Sequence, residues 1–103
     1  MKAQLPSISQ NPNGVHHRYN IEKADGTPVD PEAEYFVLRL DKKADPAHRR
    51  ACLRALAVYA AAIEETLPQL AEELRQRHSL PELTRRQKVA AGLSFVGVVD
   101  SVD

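Results

Sequence analysis

The sequence predicts an α+β fold: a β-hairpin followed by two or three amphipathic helices, with a C-terminal strand that completes a small antiparallel or mixed sheet. Three observations predict it. Polar and apolar residues alternate in one early segment, 17–23, as in a half-buried strand, and a second segment, 34–40, has the composition of a strand. Apolar residues then recur at helical spacing through the middle of the chain. A further apolar run, 93–99, has the composition of a strand.

The hairpin prediction depends on two segments and the turn between them. Two apolar residues alternate with polar ones in 17–23, and 34–40 is rich in the aromatic and β-branched residues typical of strands. The two faces of the second strand would carry Phe36, Leu38 and Leu40 on one side, and Tyr35, Val37 and Arg39 on the other. Asp25-Gly26 predicts a turn, because glycine readily adopts positive φ.

Capping signals and apolar spacing predict the helices. The first begins after Asp45, a preferred N-cap followed by proline, and runs to about Glu65. Its inner face would carry Cys52, Leu56, Tyr59 and Ile63. Thr66 and Ser79 each precede a Gln or Glu by three residues, so both are predicted to cap further helices, the last ending near Gly92. The second helix would turn Leu67, Leu70, Ala71 and Leu74 inward.

Length and composition predict the organisation of the chain. Its 103 residues suit one domain, 16–103, preceded by a flexible arm, 1–15. Fourteen basic and fourteen acidic side chains give zero net charge, which argues against broad attraction to nucleic acid or a membrane surface. Cys52 is the one cysteine, so no intrachain disulfide can form, and a reducing, cytoplasmic location is expected.

The candidate partner-binding residues are basic side chains in the first and third predicted helices: Arg49, Arg50, Arg54, Arg85, Arg86 and Lys88. The first three lie at the beginning of a helix, where positive charge opposes the helix dipole. A local conflict of this kind is expected where a surface binds something, although a solvated basic face would look the same. The last three could contact nucleic acid, or could simply complement the dipole at a helix end.

The residues predict no catalytic centre, metal site or cofactor. His16 and His17 are adjacent in a segment predicted to be extended, so they would point to opposite faces and could not easily share a metal. The acidic doublets at 64–65 and 72–73 are interpreted as solvated faces, and Cys52 as a core residue. The protein is therefore predicted not to be an enzyme.

Part of the chain resembles a class of small bacterial and phage-encoded proteins whose function is unknown. The similarity runs from Tyr19 to Leu74. Its motifs are Asp-Gly-Thr-Pro-Val-Asp at 25–30, Glu-Tyr-Phe-Val-Leu-Arg-Leu-Asp at 34–41, the Asp-Pro start of an alanine-rich helix at 45–46 and Pro-Gln-Leu-Ala at 68–71. The resemblance implies a hairpin followed by a helix. It assigns no residue a role.

These observations predict a small non-enzymatic interaction or regulatory protein that forms a homodimer. Its partner is expected to be a protein, with no membrane contact. It could be encoded by a phage or mobile element and block a host complex by occlusion, as antidefence and anti-CRISPR proteins do. Two alternatives stay open: a nucleic-acid-binding module that uses Arg85, Arg86 and Lys88, and a small enzyme or enzyme subunit.

Overall fold

The computed structural model describes residues 5–93, which contain three α-helices. α1 spans Pro46–Ile63, α2 spans Pro68–His78 and α3 spans Arg85–Ala90. The chain divides into two units, Met1–Val37 and Leu38–Asp103, and all three helices belong to the second. The described part of the chain is therefore helical.

The α+β prediction is wrong, because no strand occurs within residues 5–93. The predicted strands at 17–23 and 34–40 belong to neither a helix nor a ladder. Alternation reports only the two faces of a segment, whereas a strand also needs a second backbone to pair with. Phe36, predicted to lie in the second strand, is 84% exposed. Leu93 is not in a strand, and the remainder of the predicted C-terminal strand lies outside the described residues.

The predicted turn at Asp25-Gly26 is confirmed, although it joins no strands. The Gly26 amide donates to the Lys23 carbonyl at 3.1 Å, and Gly26 has φ 81°. The Asp25 carboxylate accepts hydrogen bonds from the amide and hydroxyl of Thr27 at 3.0 and 2.7 Å. These bonds lower the pKa of Asp25, the backbone amide of Thr27 contributing most. Local hydrogen bonding thus forms the turn without a ladder.

α1 begins as the sequence predicts. The Asp45 side chain accepts a hydrogen bond from the His48 amide at 3.0 Å, and proline occupies the first helical position. A cap of this kind stabilises a helix by about 1 kcal/mol. The helix ends at Ile63, two residues before the predicted end.

The predicted cap at Thr66 is wrong. Leu67 is the N-cap of α2 and offers no side-chain hydrogen bond. Pro68 determines this start, because proline is suited to the first helical position and the residue before it must then be the cap. The Thr66 hydroxyl instead donates to the Ile63 carbonyl at 3.2 Å.

The predicted cap at Ser79 is also wrong, whereas the helix end near Gly92 is confirmed. α3 begins five residues later than predicted, where Thr84 and Gln87 form a reciprocal capping box with bonds of 2.8 and 3.1 Å. After α3, Gly92 has φ 78°, and the Leu93 amide donates to the Lys88 carbonyl at 2.9 Å. This is the left-handed ending for which glycine is suited.

Ser79 ends α2 in the left-handed conformation, with φ 52°. The Leu80 amide then donates to the Arg75 carbonyl at 3.0 Å. This turn carries Leu80 back into the core, where Leu74 packs against the same cluster. An apolar contact of this kind commonly accompanies a left-handed helix end.

Replacing Ser79 by Gly is expected to raise the free energy of unfolding by about 0.5–1 kcal/mol. The left-handed conformation strains a residue that has a Cβ, and glycine removes this strain. The greater conformational entropy of glycine in the unfolded chain offsets only part of the stabilisation. Urea denaturation would measure the change. Ser79→Ala is the matched control and should give no gain, since alanine keeps the Cβ. Equal stabilisation by both variants would contradict the explanation.

The core lies in the second unit and is built largely from alanine. The buried residues of the described chain are Ala44, Cys52, Leu56, Ala57, Ala60, Ala61, Ala71 and Leu80. α1 and α2 pack against each other, and small side chains allow the two helices to approach closely. Cys52 and Leu56 are buried as predicted, but Tyr59 is 45% exposed and Ile63 only half-buried. The buried face of α1 therefore includes Ala57, Ala60 and Ala61 and leaves out Tyr59.

Candidate interaction surfaces

The first basic group divides into one structural residue and two exposed ones. Arg49 is half-buried, and its Nε donates to the Leu40 carbonyl at 3.0 Å. This bond ties the segment before α1 to the helix. Arg50 and Arg54 are exposed, one turn apart on α1. The candidate binding surface on α1 therefore consists of Arg50 and Arg54 rather than all three arginines.

The second basic group is partly engaged in an ion-pair cluster around Glu64, the C-cap of α1. The Glu64 carboxylate lies 3.3 Å from Lys88 Nζ and 3.5 Å from Arg75 Nη2. Arg75 Nη1 also lies 4.0 Å from Glu82. The Glu64, Lys88 and Arg75 side chains are only 27%, 25% and 15% exposed. The cluster joins the end of α1 to α2 and α3.

This cluster weakens the nucleic-acid alternative. Lys88 would have to leave Glu64 before it could bind a phosphate, and Arg85 is half-buried. Arg86 is the exposed member of the group. Electrostatic binding to nucleic acid scales with the number of phosphates neutralised, so few available cations predict weak binding.

The histidines and the cysteine have local partners. His16 Nδ1 lies 2.9 Å from the carbonyls of Asn11 and Gly14, and His17 Nε2 lies 2.9 Å from Asn20 Oδ1. Cys52 is 3% exposed, with its sulfur 3.5 Å from His48 Nε2. In the part of the chain that the structure describes, no three metal-ligating side chains come together.

Asp41 forms a short-range ion pair just before α1. Arg39 Nε donates to its carboxylate at 2.7 Å, and the Lys43 amide donates at 3.1 Å. The hydrogen bond from Arg39 is the largest influence on Asp41 and holds the pKa of its carboxyl below the ordinary value of 3.8. Both side chains are substantially exposed, so the pair contributes little to stability.

Replacing Arg39 by Gln is expected to raise the pKa of Asp41 toward 3.8. Because folding depresses this pKa, the associated stability is present above the unfolded pKa and is lost as the pH falls through the folded value. NMR titration of the Asp41 carboxyl carbon would measure the pKa in both proteins. Asp25, whose pKa is lowered by its hydrogen bonds from Thr27, serves as an internal reference and should keep the same lowered pKa in both proteins. An unchanged Asp41 pKa would exclude the Arg39 contact in solution.

The first unit exposes many large apolar side chains. Those with at least 38% exposure are Leu5, Ile8, Val15, Tyr19, Ile21, Tyr35, Phe36 and Val37. We call Tyr35–Val37 the aromatic segment; its three consecutive side chains are 51%, 84% and 42% exposed. Among residues 5–93, none of its amides donates a backbone hydrogen bond. Contiguous exposed apolar groups are typical of binding surfaces.

A second apolar surface lies on α2. Leu67 and Leu70, predicted to face inward, are 50% and 38% exposed, because α2 packs through Ala71 instead. A shallow groove runs along this side of the helix, lined by Leu70, Glu73, Leu74, Gln76 and Arg77. The sequence pattern placed all the leucines on one inner face and so missed this surface.

Comparisons with protein-family models, with curated proteins and with solved structures give no match to this chain. The resemblance to small phage and bacterial proteins accordingly stays a prediction. None of the helices within residues 5–93 is long and apolar enough to span a membrane. The candidate surfaces therefore have to be interpreted from their own chemistry.

Proposed function

We propose that the protein is a non-enzymatic binding module that covers a site on a protein partner with its aromatic segment. The observation that carries this proposal is the exposure of Phe36, which at 84% leaves almost the whole side chain in water. Tyr35 and Val37 extend the same apolar surface. Burying large apolar side chains against a partner is favourable, and aromatic anchors commonly dominate such interfaces.

The proposed contact is the addition of a strand to the edge of the partner's sheet. The aromatic segment has the residue types that favour strands, and its backbone amides are available for pairing. A partner's edge strand would supply the second backbone that this segment lacks within residues 5–93. Main-chain hydrogen bonds then provide affinity, while alternate side chains provide specificity.

To block the partner's functional site by occlusion, this chain needs no catalytic groups. It needs only to form a stable complex that covers the site. The target we propose is a host complex in the cytoplasm, and an antidefence or anti-CRISPR protein, which the small size and lack of catalytic motifs fit, would be one form of such a protein. Within the helical unit, the Glu64 cluster holds the ends of the helices together.

Site-specific photo-crosslinking tests the proposal directly. The full-length chain would carry a benzophenone amino acid at Phe36, expressed in the source cell and irradiated. A discrete protein adduct is expected at this position. Val89, 60% exposed on α3, is the matched control and should give no such adduct. Identical adducts at both positions, or none at Phe36, would overturn the proposal.

The captured partner allows a quantitative measurement. Phe36→Ser should weaken binding by about tenfold or more, since loss of one buried aromatic anchor typically costs about 2 kcal/mol or more. Val89→Ser should bind like the parent. A nucleic acid recovered in place of a protein, with affinity that falls steeply in salt, would instead favour the alternative function.

A further inference from the structure

We infer that α2 carries a self-association surface on which two copies of this chain pack around a two-fold axis. The surface, here called the α2 groove, is lined by Leu70, Glu73, Leu74, Gln76 and Arg77. A second depression shares Leu70 and Glu73 and continues past Leu67 to the beginning of the helix. This surface shares no residue with the aromatic segment, so it goes beyond the proposed function.

The apolar part of the α2 groove is continuous with the core. Leu74 packs against the cluster of Leu56, Ala57 and Leu80, and its remaining surface lines the groove. Leu70, one turn before it, is exposed. A partner seated here would extend an existing apolar core, a common property of homodimer interfaces.

The charges of the groove select a second copy as the occupant. Glu73 and Arg77 are opposite in sign and lie one helical turn apart. A two-fold axis perpendicular to α2 makes the two α2 helices antiparallel, so residue i of one chain meets residue j of the other and the reverse. Glu73 of each copy can then face Arg77 of the other. The interface would then contain two identical Glu73–Arg77 ion pairs, both formed between copies of this chain.

Neither Glu73 nor Arg77 forms an ion pair within residues 5–93. Glu73 accepts a long hydrogen bond of 3.4 Å from Gln69. The zero net charge of the chain offers little general repulsion between two copies. The opposite-charge pairs can therefore determine how the copies meet.

Charge exchange between copies provides the test. The parent chain is expected to dimerise at tens of micromolar at low ionic strength in sedimentation equilibrium. Glu73→Arg and Arg77→Glu should each weaken self-association by about tenfold or more, because like charges then face each other twice. An equimolar mixture of the two variants should recover dimerisation, since the two arginines of the first variant then meet the two glutamates of the second.

The mixing experiment distinguishes a contact between two chains from a change within one helix. If a substitution weakened the dimer by altering its own helix, mixing the two variants would not restore dimerisation. Circular dichroism would verify that both variants keep their helices. Leu70→Ser should weaken the dimer, whereas Tyr59→Ser, at an exposed apolar position on α1, should not. A parent chain that remains monomeric at several hundred micromolar overturns the inference, as does a mixture that stays monomeric. Crosslinking at Phe36 reports separately on the proposed function.

Discussion

Replacing Leu56 by Ala is expected to lower the free energy of unfolding by about 3 kcal/mol, the largest effect we expect from a single truncation. Leu56 is 8% exposed and belongs to the core cluster with Ala57 and Leu80. Truncating a buried leucine removes apolar contacts and leaves a cavity, at a typical cost of about 2–5 kcal/mol. Denaturation in urea, monitored by circular dichroism, would measure the change.

The effect should be large because the core is built mostly from small residues. Five of the eight buried residues are alanines, and Leu56 and Leu80 supply most of the buried aliphatic volume. A domain of this size has about 5–15 kcal/mol of stability, so this substitution would consume much of it. Val89→Ala, at a 60% exposed position, is the control and should change stability by under about 0.5 kcal/mol. Similar losses from both variants would contradict the assigned core.

The sequence predicted α1 well because its signals are local. The Asp45 cap and the proline after it define the beginning, and the buried Cys52 and Leu56 follow at helical spacing. The prediction was wrong at Tyr59, because apolar spacing does not show which side of a broad stripe contacts a neighbour. The alanines of α1 determine that side, since they let α2 approach.

The residues of the predicted hairpin do not by themselves determine whether the hairpin forms. Strand propensity describes how a segment behaves once it is paired, and the aromatic and β-branched residues at 34–40 have it. Whether a partner backbone is available depends on the remainder of the fold. In the described residues no such backbone pairs with this segment, and Phe36 is exposed as a result. The failed strand prediction thus motivates the proposed binding surface.

The candidate interaction surfaces were also predicted only in part, because they too depend on contacts between distant parts of the chain. Arg50, Arg54 and Arg86 are exposed basic residues, as a binding surface would require. Lys88 and Glu64 are separated by 24 residues, yet lie 3.3 Å apart. No local pattern indicates a contact at that separation, so the sequence predicted Glu64 to be a solvated charge and Lys88 to be a candidate binding residue. Likewise, the α2 groove appears only after Ala71, rather than the leucines, is placed against α1.

Replacing Ala60 by Leu is expected to lower the free energy of unfolding by about 1–3 kcal/mol, although leucine is the more hydrophobic residue. Ala60 is 0% exposed and Ala71 is 1% exposed, the two most completely buried residues of the described chain. Three additional carbon atoms would force the groups packed around Ala60 apart or into strained rotamers, because a completely buried position has no room for them. Thermal and urea unfolding would both detect the loss.

Ala55→Leu provides the matched control on the same helix. Ala55 is exposed, and leucine has nearly the helix propensity of alanine, so this variant should stay within about 0.5 kcal/mol of the parent. Both variants add the same apolar side chain, so a difference between their free energies of unfolding measures the cost of overpacking at Ala60. If Ala60→Leu instead stabilised the protein, Ala60 would not be closely packed in solution. The buried alanines of α1 would then not determine the position of α2.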